Sequence, residues 1–106
     1  MAFTLEQLAG VIAERARSGG DKSYTKQLLD GGVEKCAKKL GEEAIETSLA
    51  ALSGKRAALV AESADLLYHL LVLLEAREVR LAEVLAELER RTVRSGLDEK
   101  AARGKG

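Results

Sequence analysis

Five carboxylates stand in two short runs, Glu42-Glu43-x-x-Glu46 and, 15 residues further on, Glu62-x-x-Asp65. On a helix, Glu43 and Glu46 are i,i+3 neighbours, Glu42 and Glu46 are i,i+4 neighbours, and Glu62 and Asp65 are again i,i+3. At 100° per residue, Lys35, Lys39, Glu42, Glu43 and Glu46 fall within one arc of about 100°. Taken alone, that stripe is compatible with an ordinary solvated face of Lys39–Glu43 and Lys35–Glu42 pairs. The second run changes its meaning, because Glu62 and Asp65 open onto LLYHLLVLL, residues 66–74, the most apolar segment of the chain. Carboxylates against a bundle core are costly unless a cation or a hydrogen-bond network compensates them. Glu43 and Glu46 brought opposite Glu62 and Asp65 make an all-oxygen set suited to the hard cations Mg2+ or Mn2+. Lys35 and Lys39 beside it supply charge for phosphate oxygens. The chemistry implied is metal-assisted attack of water on a phosphate chain.

His69 continues the side of Glu62 and Asp65 one turn on. It is either a general base or a histidine that supports the acids by a hydrogen bond within the core. Cys36 lies on the apolar side of its helix and reads as a small hydrophobe. No Gly-x-x-x-x-Gly-Lys-Ser/Thr loop occurs, which excludes a P-loop.

The elements that must position these residues are helical. The chain has 106 residues, no proline and few aromatics, and it is rich in strong helix formers. No segment alternates apolar and polar residues over a strand's length. Thr4 caps a first helix with Gln7 completing a capping box and Phe3 and Leu8 placed for a hydrophobic staple. Its apolar stripe is Leu5, Leu8, Ile12 and Ala16, and Ser18-Gly19-Gly20-Asp21 ends it. A short helix over Tyr24–Leu29, capped by Ser23, is closed by Asp30-Gly31-Gly32. A third spans about Val33 to Leu52, with Val33, Cys36, Ala37, Leu40, Ala44 and Ala51 expected toward the core. The short Ser53-Gly54-Lys55 connection makes the fourth helix, about Arg56 to Arg77, antiparallel to it. A fifth covers about Leu81 to Arg91 with Leu81, Val84, Leu85 and Leu88 expected inward. A polar tail follows from Ser95. The expected class is all-α, four to five helices in a single unit over residues 1–106.

The fourth helix is apolar nearly all round, so it must be covered on most sides. A chain this short has little to cover it with, and a homodimer or larger homo-oligomer is the economical answer. Lysine plus arginine and aspartate plus glutamate each count 17, which argues against a broad electrostatic grip on nucleic acid. The single cysteine excludes an intramolecular disulfide. The N-terminus shows no signal segment, and the apolar run at 66–74 is far below the ~20 residues that span a bilayer. A cytoplasmic protein without a membrane partner is expected.

The spacing of the two acidic runs resembles the signature of the all-α nucleotide pyrophosphohydrolases, the MazG-like superfamily. The surrounding text GGDKSYTKQLLDGG, KCAKKLGEEAIET, ESADLLYHLLVLL, LAEVLAELERR and SGLDEKAAR is similar to the phosphoribosyl-ATP pyrophosphohydrolases of histidine biosynthesis. That resemblance covers about residues 4–103. It implies hydrolysis of phosphoribosyl-ATP to phosphoribosyl-AMP and pyrophosphate. It also implies Mg2+ held by Glu43, Glu46, Glu62 and Asp65, with Glu42 as a further ligand or a water-orienting base. Lys35 and Lys39 would contact phosphates, and Ser23, Tyr24, Thr25 and the basic tail residues Arg94 and Lys100 would close over substrate. In one respect the chain departs from the family's pattern. Arg77-Glu78-Val79-Arg80 stands where a glycine closing one helix and a serine capping the next are expected. The competing readings are a pyrophosphohydrolase of ordinary nucleoside triphosphates and a non-catalytic helical dimerisation module.

Overall fold

The computed structural model describes residues 2–18 and 23–93. They form five helices: α1 (Leu5–Ser18), α2 (Tyr24–Asp30), α3 (Gly32–Ser53), α4 (Arg56–Ala76) and α5 (Leu81–Val93). Among the described residues there is no strand, so the fold is all-α as expected.

Local chemistry sets the ends of these helices. At α1 the capping box closes in both directions: Gln7 N–H donates to Thr4 Oγ1 at 3.1 Å, and Thr4 N–H to Gln7 Oε1 at 2.8 Å. The staple is not formed, since Phe3 stays 68% exposed. The Ser23 hydroxyl accepts from Lys26 N–H at 3.2 Å to start α2. Between α3 and α4, Gly54 takes φ 76°, the left-handed conformation that lets the chain reverse within Ser53–Lys55.

The turn between α4 and α5 resolves the departure noted in the sequence. Glu78 sits at φ 57°, the left-handed region where a side chain costs about 1–2 kcal/mol. The missing serine is partly replaced from inside α5, where Glu83 Oε2 accepts from Arg80 N–H at 2.8 Å. Glu78→Gly should therefore raise stability by about 1 kcal/mol, or roughly 4–8 °C in thermal midpoint, with turnover unchanged; a melting curve no higher than wild type would refute the strain.

α3 and α4 pack antiparallel along the centre of the molecule, with α1 and α2 against one end. Ile12, Leu28, Cys36, Leu71 and Val72 form the buried core there, and the Cys36 thiol donates to Leu28 O at 3.3 Å. The buried line of α3 differs from the one expected. Of the arc Val33, Cys36, Ala37, Leu40, Ala44 and Ala51, only Cys36 is buried and Leu40 half-buried; the other four are exposed. Cys36, Glu43 and Ala50, spaced by seven, are the buried residues of α3. Of the acidic stripe only Glu43 lies in the helix–helix seam, and Glu62 and Asp65 of α4 stand beside it.

A second correction concerns α5. Leu81 packs on the core and Val84 is half-buried, but Leu85 and Leu88 remain exposed, and no residue of α5 is buried. Beyond Leu81 and Val84 the helix leaves the bundle, and among the described residues none buries Leu85 or Leu88. The radius of gyration, 16.2 Å, exceeds the ~13 Å of a compact chain of this length. By length and composition α4 could cross a membrane, yet its middle carries Glu62, Asp65 and His69 against α3.

Candidate metal and phosphate site

The antiparallel pairing of α3 and α4 brings the two acidic runs together. One carboxylate oxygen from each of Glu43, Glu62 and Asp65 lies within 4.8 Å of the others. Glu43 is buried, Glu62 half-buried and Asp65 exposed, so the set runs from the seam out to solvent. Glu43 Oε2 and Glu62 Oε2 are buried with no hydrogen-bond partner. Two such oxygens side by side are a costly arrangement that a hard cation would relieve. The residues present therefore fit Mg2+ or Mn2+ by donor type.

The electrostatics agree. Burial, followed by the neighbouring Glu46 carboxyl, pushes the Glu43 carboxyl above the ordinary glutamate value, and the same two causes raise Glu62. Glu46 is itself exposed at the rim of the cluster. His69 is buried with Nε2 3.9 Å from Glu43 Oε1 and Nδ1 unpartnered. Burial, then the Lys39 ammonium, lowers its pKa, which favours the neutral ring. That placement suits a supporting histidine more than a base facing solvent.

The two lysines expected to contact phosphate are placed differently from each other. Lys39 Nζ pairs with Glu42 Oε1 at 3.4 Å, rather than with Glu43 as the i,i+4 spacing alone allows. Glu42, then the Tyr24 hydroxyl group, raises the Lys39 pKa, so Lys39, Glu42 and Tyr24 share one edge of the acid cleft. Lys35 stands one turn earlier. Its stem lies over Gly31, so close that a Cβ there would clash with Lys35 Cδ.

Tyr24 is 51% exposed. Its ring stacks on Tyr68 with centroids 6.2 Å apart and meets the edge of His69 at 6.0 Å. This leaves an aromatic surface open beside the acids. Ser23 and Thr25 are otherwise engaged. The Ser23 hydroxyl caps α2. Thr25 is buried, and its hydroxyl shares a 2.5 Å hydrogen bond with Tyr68 Oη; this bond ties α2 to α4 and so holds Tyr24 at the cleft. Arg94 and Lys100 lie outside the described residues. Tyr68 and Thr47 were not singled out from sequence. Tyr68 is one more apolar letter in LLYHLL, and Thr47 is a polar residue at the edge of the acid stripe.

Comparisons with known proteins bear on the same residues. The model of the family described as phosphoribosyl-ATP pyrophosphohydrolase matches residues 5–92, which includes both acidic runs. The phosphoribosyl-ATP pyrophosphatase 1 of Bradyrhizobium diazoefficiens is 59% identical over 101 residues, covering 95% of each chain. That of Rhodopseudomonas palustris is 56% identical, covering 95% of this chain and 94% of its own. The phosphoribosyl-ATP pyrophosphatase of Cereibacter sphaeroides is 56% identical over 94% of this chain and 97% of its own. At that identity over nearly the whole length, and with the acid-bearing helices inside the match, the chain belongs to the phosphoribosyl-ATP pyrophosphohydrolase family, within the MazG-like superfamily.

Proposed function

We propose that the chain hydrolyses phosphoribosyl-ATP to phosphoribosyl-AMP and pyrophosphate in histidine biosynthesis, as a soluble cytoplasmic enzyme with no nucleic-acid or membrane partner. The observation that carries the chemistry is the convergence of Glu43, Glu62 and Asp65, with two buried carboxylate oxygens left unpartnered. Glu43, Glu62 and Asp65, joined by Glu46 from the rim, would hold Mg2+ or, in its place, Mn2+. When bound, the cation neutralises phosphate charge and polarises the phosphorus under attack.

The remaining roles fall to the chain's own side chains. Lys39 and Lys35 attract the triphosphate into the cleft. Glu42, exposed and paired to Lys39, is placed to orient a water and accept its proton once a phosphate draws the lysine away. The water oxygen bonds to phosphorus, the phosphoanhydride bond breaks, and pyrophosphate leaves. Tyr24 offers its open ring face to the rest of the nucleotide, and the Thr25–Tyr68 bond keeps it there. The basic residues Arg94 and Lys100, outside the described residues, add positive charge for the substrate's phosphates.

The working form is a homodimer. The apolar faces of α3, α4 and α5 that one chain leaves open are covered by those of a second copy. A cavity of about 440 Å³, lined in part by Ala9, Ala13, Leu71, Leu74 and Leu81, adjoins the start of α5.

Pyrophosphate release should be at least about 100-fold more efficient with phosphoribosyl-ATP than with ATP or dUTP, a difference of ~3 kcal/mol in transition-state binding. It should vanish when Mg2+ is chelated. Preference for a simple triphosphate would transfer the chain to housekeeping chemistry, and release of no pyrophosphate from any of the three would leave the dimerisation module.

A further inference from the structure

The Thr47 hydroxyl lies 2.7 Å from the Glu43 carbonyl oxygen and 3.0 Å from the Glu62 carbonyl oxygen. The first contact is the i−4 bond that helical threonines commonly make. The second crosses from α3 to α4. Each contact ends on the backbone of one of the acids whose carboxylates converge. The hydroxyl has a single proton, so it donates to either carbonyl or is shared between the two. In both cases one side chain bridges the two acid-bearing turns.

The position of this bridge gives it a task. The carboxylates repel one another across the seam and press α3 and α4 apart. On the α2 side the seam is held by buried core residues, Cys36 on α3 and Val72 on α4 among them. Toward the α3–α4 turn, Ala50 is the buried residue of α3 and Leu59 at the start of α4 stays exposed. Apolar packing there is thin, and Thr47 stands between the acids and that thin end.

We infer that Thr47 is a positioning residue of the carboxylate site, its hydroxyl setting the spacing of Glu43 and Glu62 across the α3–α4 seam. The inference rests on the proposed metal-binding role of these acids. Binding groups must be held to within about 0.5 Å, and residues that orient ligands are typically worth 10–100-fold in metal affinity.

Two variants separate hydroxyl from shape. Thr47→Val keeps the branched outline and removes the donor; Thr47→Ser keeps the donor. Mg2+ binding is read calorimetrically on the full chain without substrate, and the Mg2+ dependence of pyrophosphate release is read alongside. Thr47→Val should weaken Mg2+ binding about tenfold or more, with kcat at saturating Mg2+ much less affected. Thr47→Ser should stay within about twofold of wild type. If Thr47→Val is too unstable to titrate, Thr47→Ala replaces it with the same expectation. Equal Mg2+ affinity in wild type and Thr47→Val overturns the inference and leaves the site reading intact. Equal losses in the valine and serine variants also overturn it, because the methyl group would then be the cause. A wild-type protein that binds no Mg2+ overturns both the inference and the site reading.

Discussion

Glu62→Gln should abolish most turnover and, in the same protein, raise the thermal midpoint measured without metal. The loss follows from removing one charged ligand where a cation is worth several kcal/mol to the transition state, so pyrophosphate release should fall at least 100-fold. The gain follows from what the acids do when no cation is present. Glu62 has a buried oxygen without a partner and faces Glu43, Glu46 and Asp65, and an amide in its place carries no charge to repel them. A residue serving the fold alone would lose activity and stability together. Opposite signs identify one kept for function at the expense of the fold.

Acidity supplies a check on the same melting curves. The folded-state pKa values of Glu43 and Glu62 are raised, by burial first and Glu46 next. A raised pKa stabilises the fold while the group is protonated, and this contribution is lost as pH rises out of the ordinary glutamate range through the folded values. The metal-free protein should therefore lose stability toward neutral pH on account of these two groups. Magnesium at this site would bind the ionised form and compete with the protons. Its stabilisation should be larger at pH 7.5 than at pH 5.5, and absent in Glu62→Gln at both. A wild-type midpoint that millimolar Mg2+ leaves unmoved at pH 7.5 would exclude a metal site here.

Much of this is legible in the sequence, and the parts that are not share a physical cause. Thr4 with Gln7, Ser23, and Ser53-Gly54-Lys55 announce helix ends because capping is local chemistry. The acidic runs announce a site because i,i+3 spacing survives in any helix. Which side of α3 meets α4 is a different matter. Apolar count assigns the core to Val33, Ala37, Ala44 and Ala51, but these small residues lie on the outside while Glu43 lies in the seam. A face chosen for function defeats a rule based on hydrophobicity. Thr47 and Thr25 were opaque for a related reason: their partners, Glu62 and Tyr68, stand 15 and 43 residues away, and no periodicity encodes such a bond. The inward face expected of α5 failed because hydrophobic patterning marks an apolar face without saying what it packs against.

That last point carries the second large effect. Ile45, Leu49 and Leu52 are i, i+4 and i+7 on α3, and they are 64%, 60% and 83% exposed in a single chain. Leu59 and Val60 continue the patch across the turn onto α4. Were these residues truly solvated, Leu49→Lys with Leu52→Lys would change stability by no more than about 0.5 kcal/mol each. In a homodimer core the same pair removes two buried leucines, worth about 2–5 kcal/mol each, and buries unpaired charge as well. The wild-type chain should sediment at twice its 11.4 kDa mass. The double variant should sediment as a monomer, with a thermal midpoint more than about 10 °C lower. Because the folded bundle and the dimer form together, its midpoint should also lose the concentration dependence expected of wild type. A wild-type chain that sediments at 11.4 kDa, or a double variant that melts with it, would show that α3 turns this face to water.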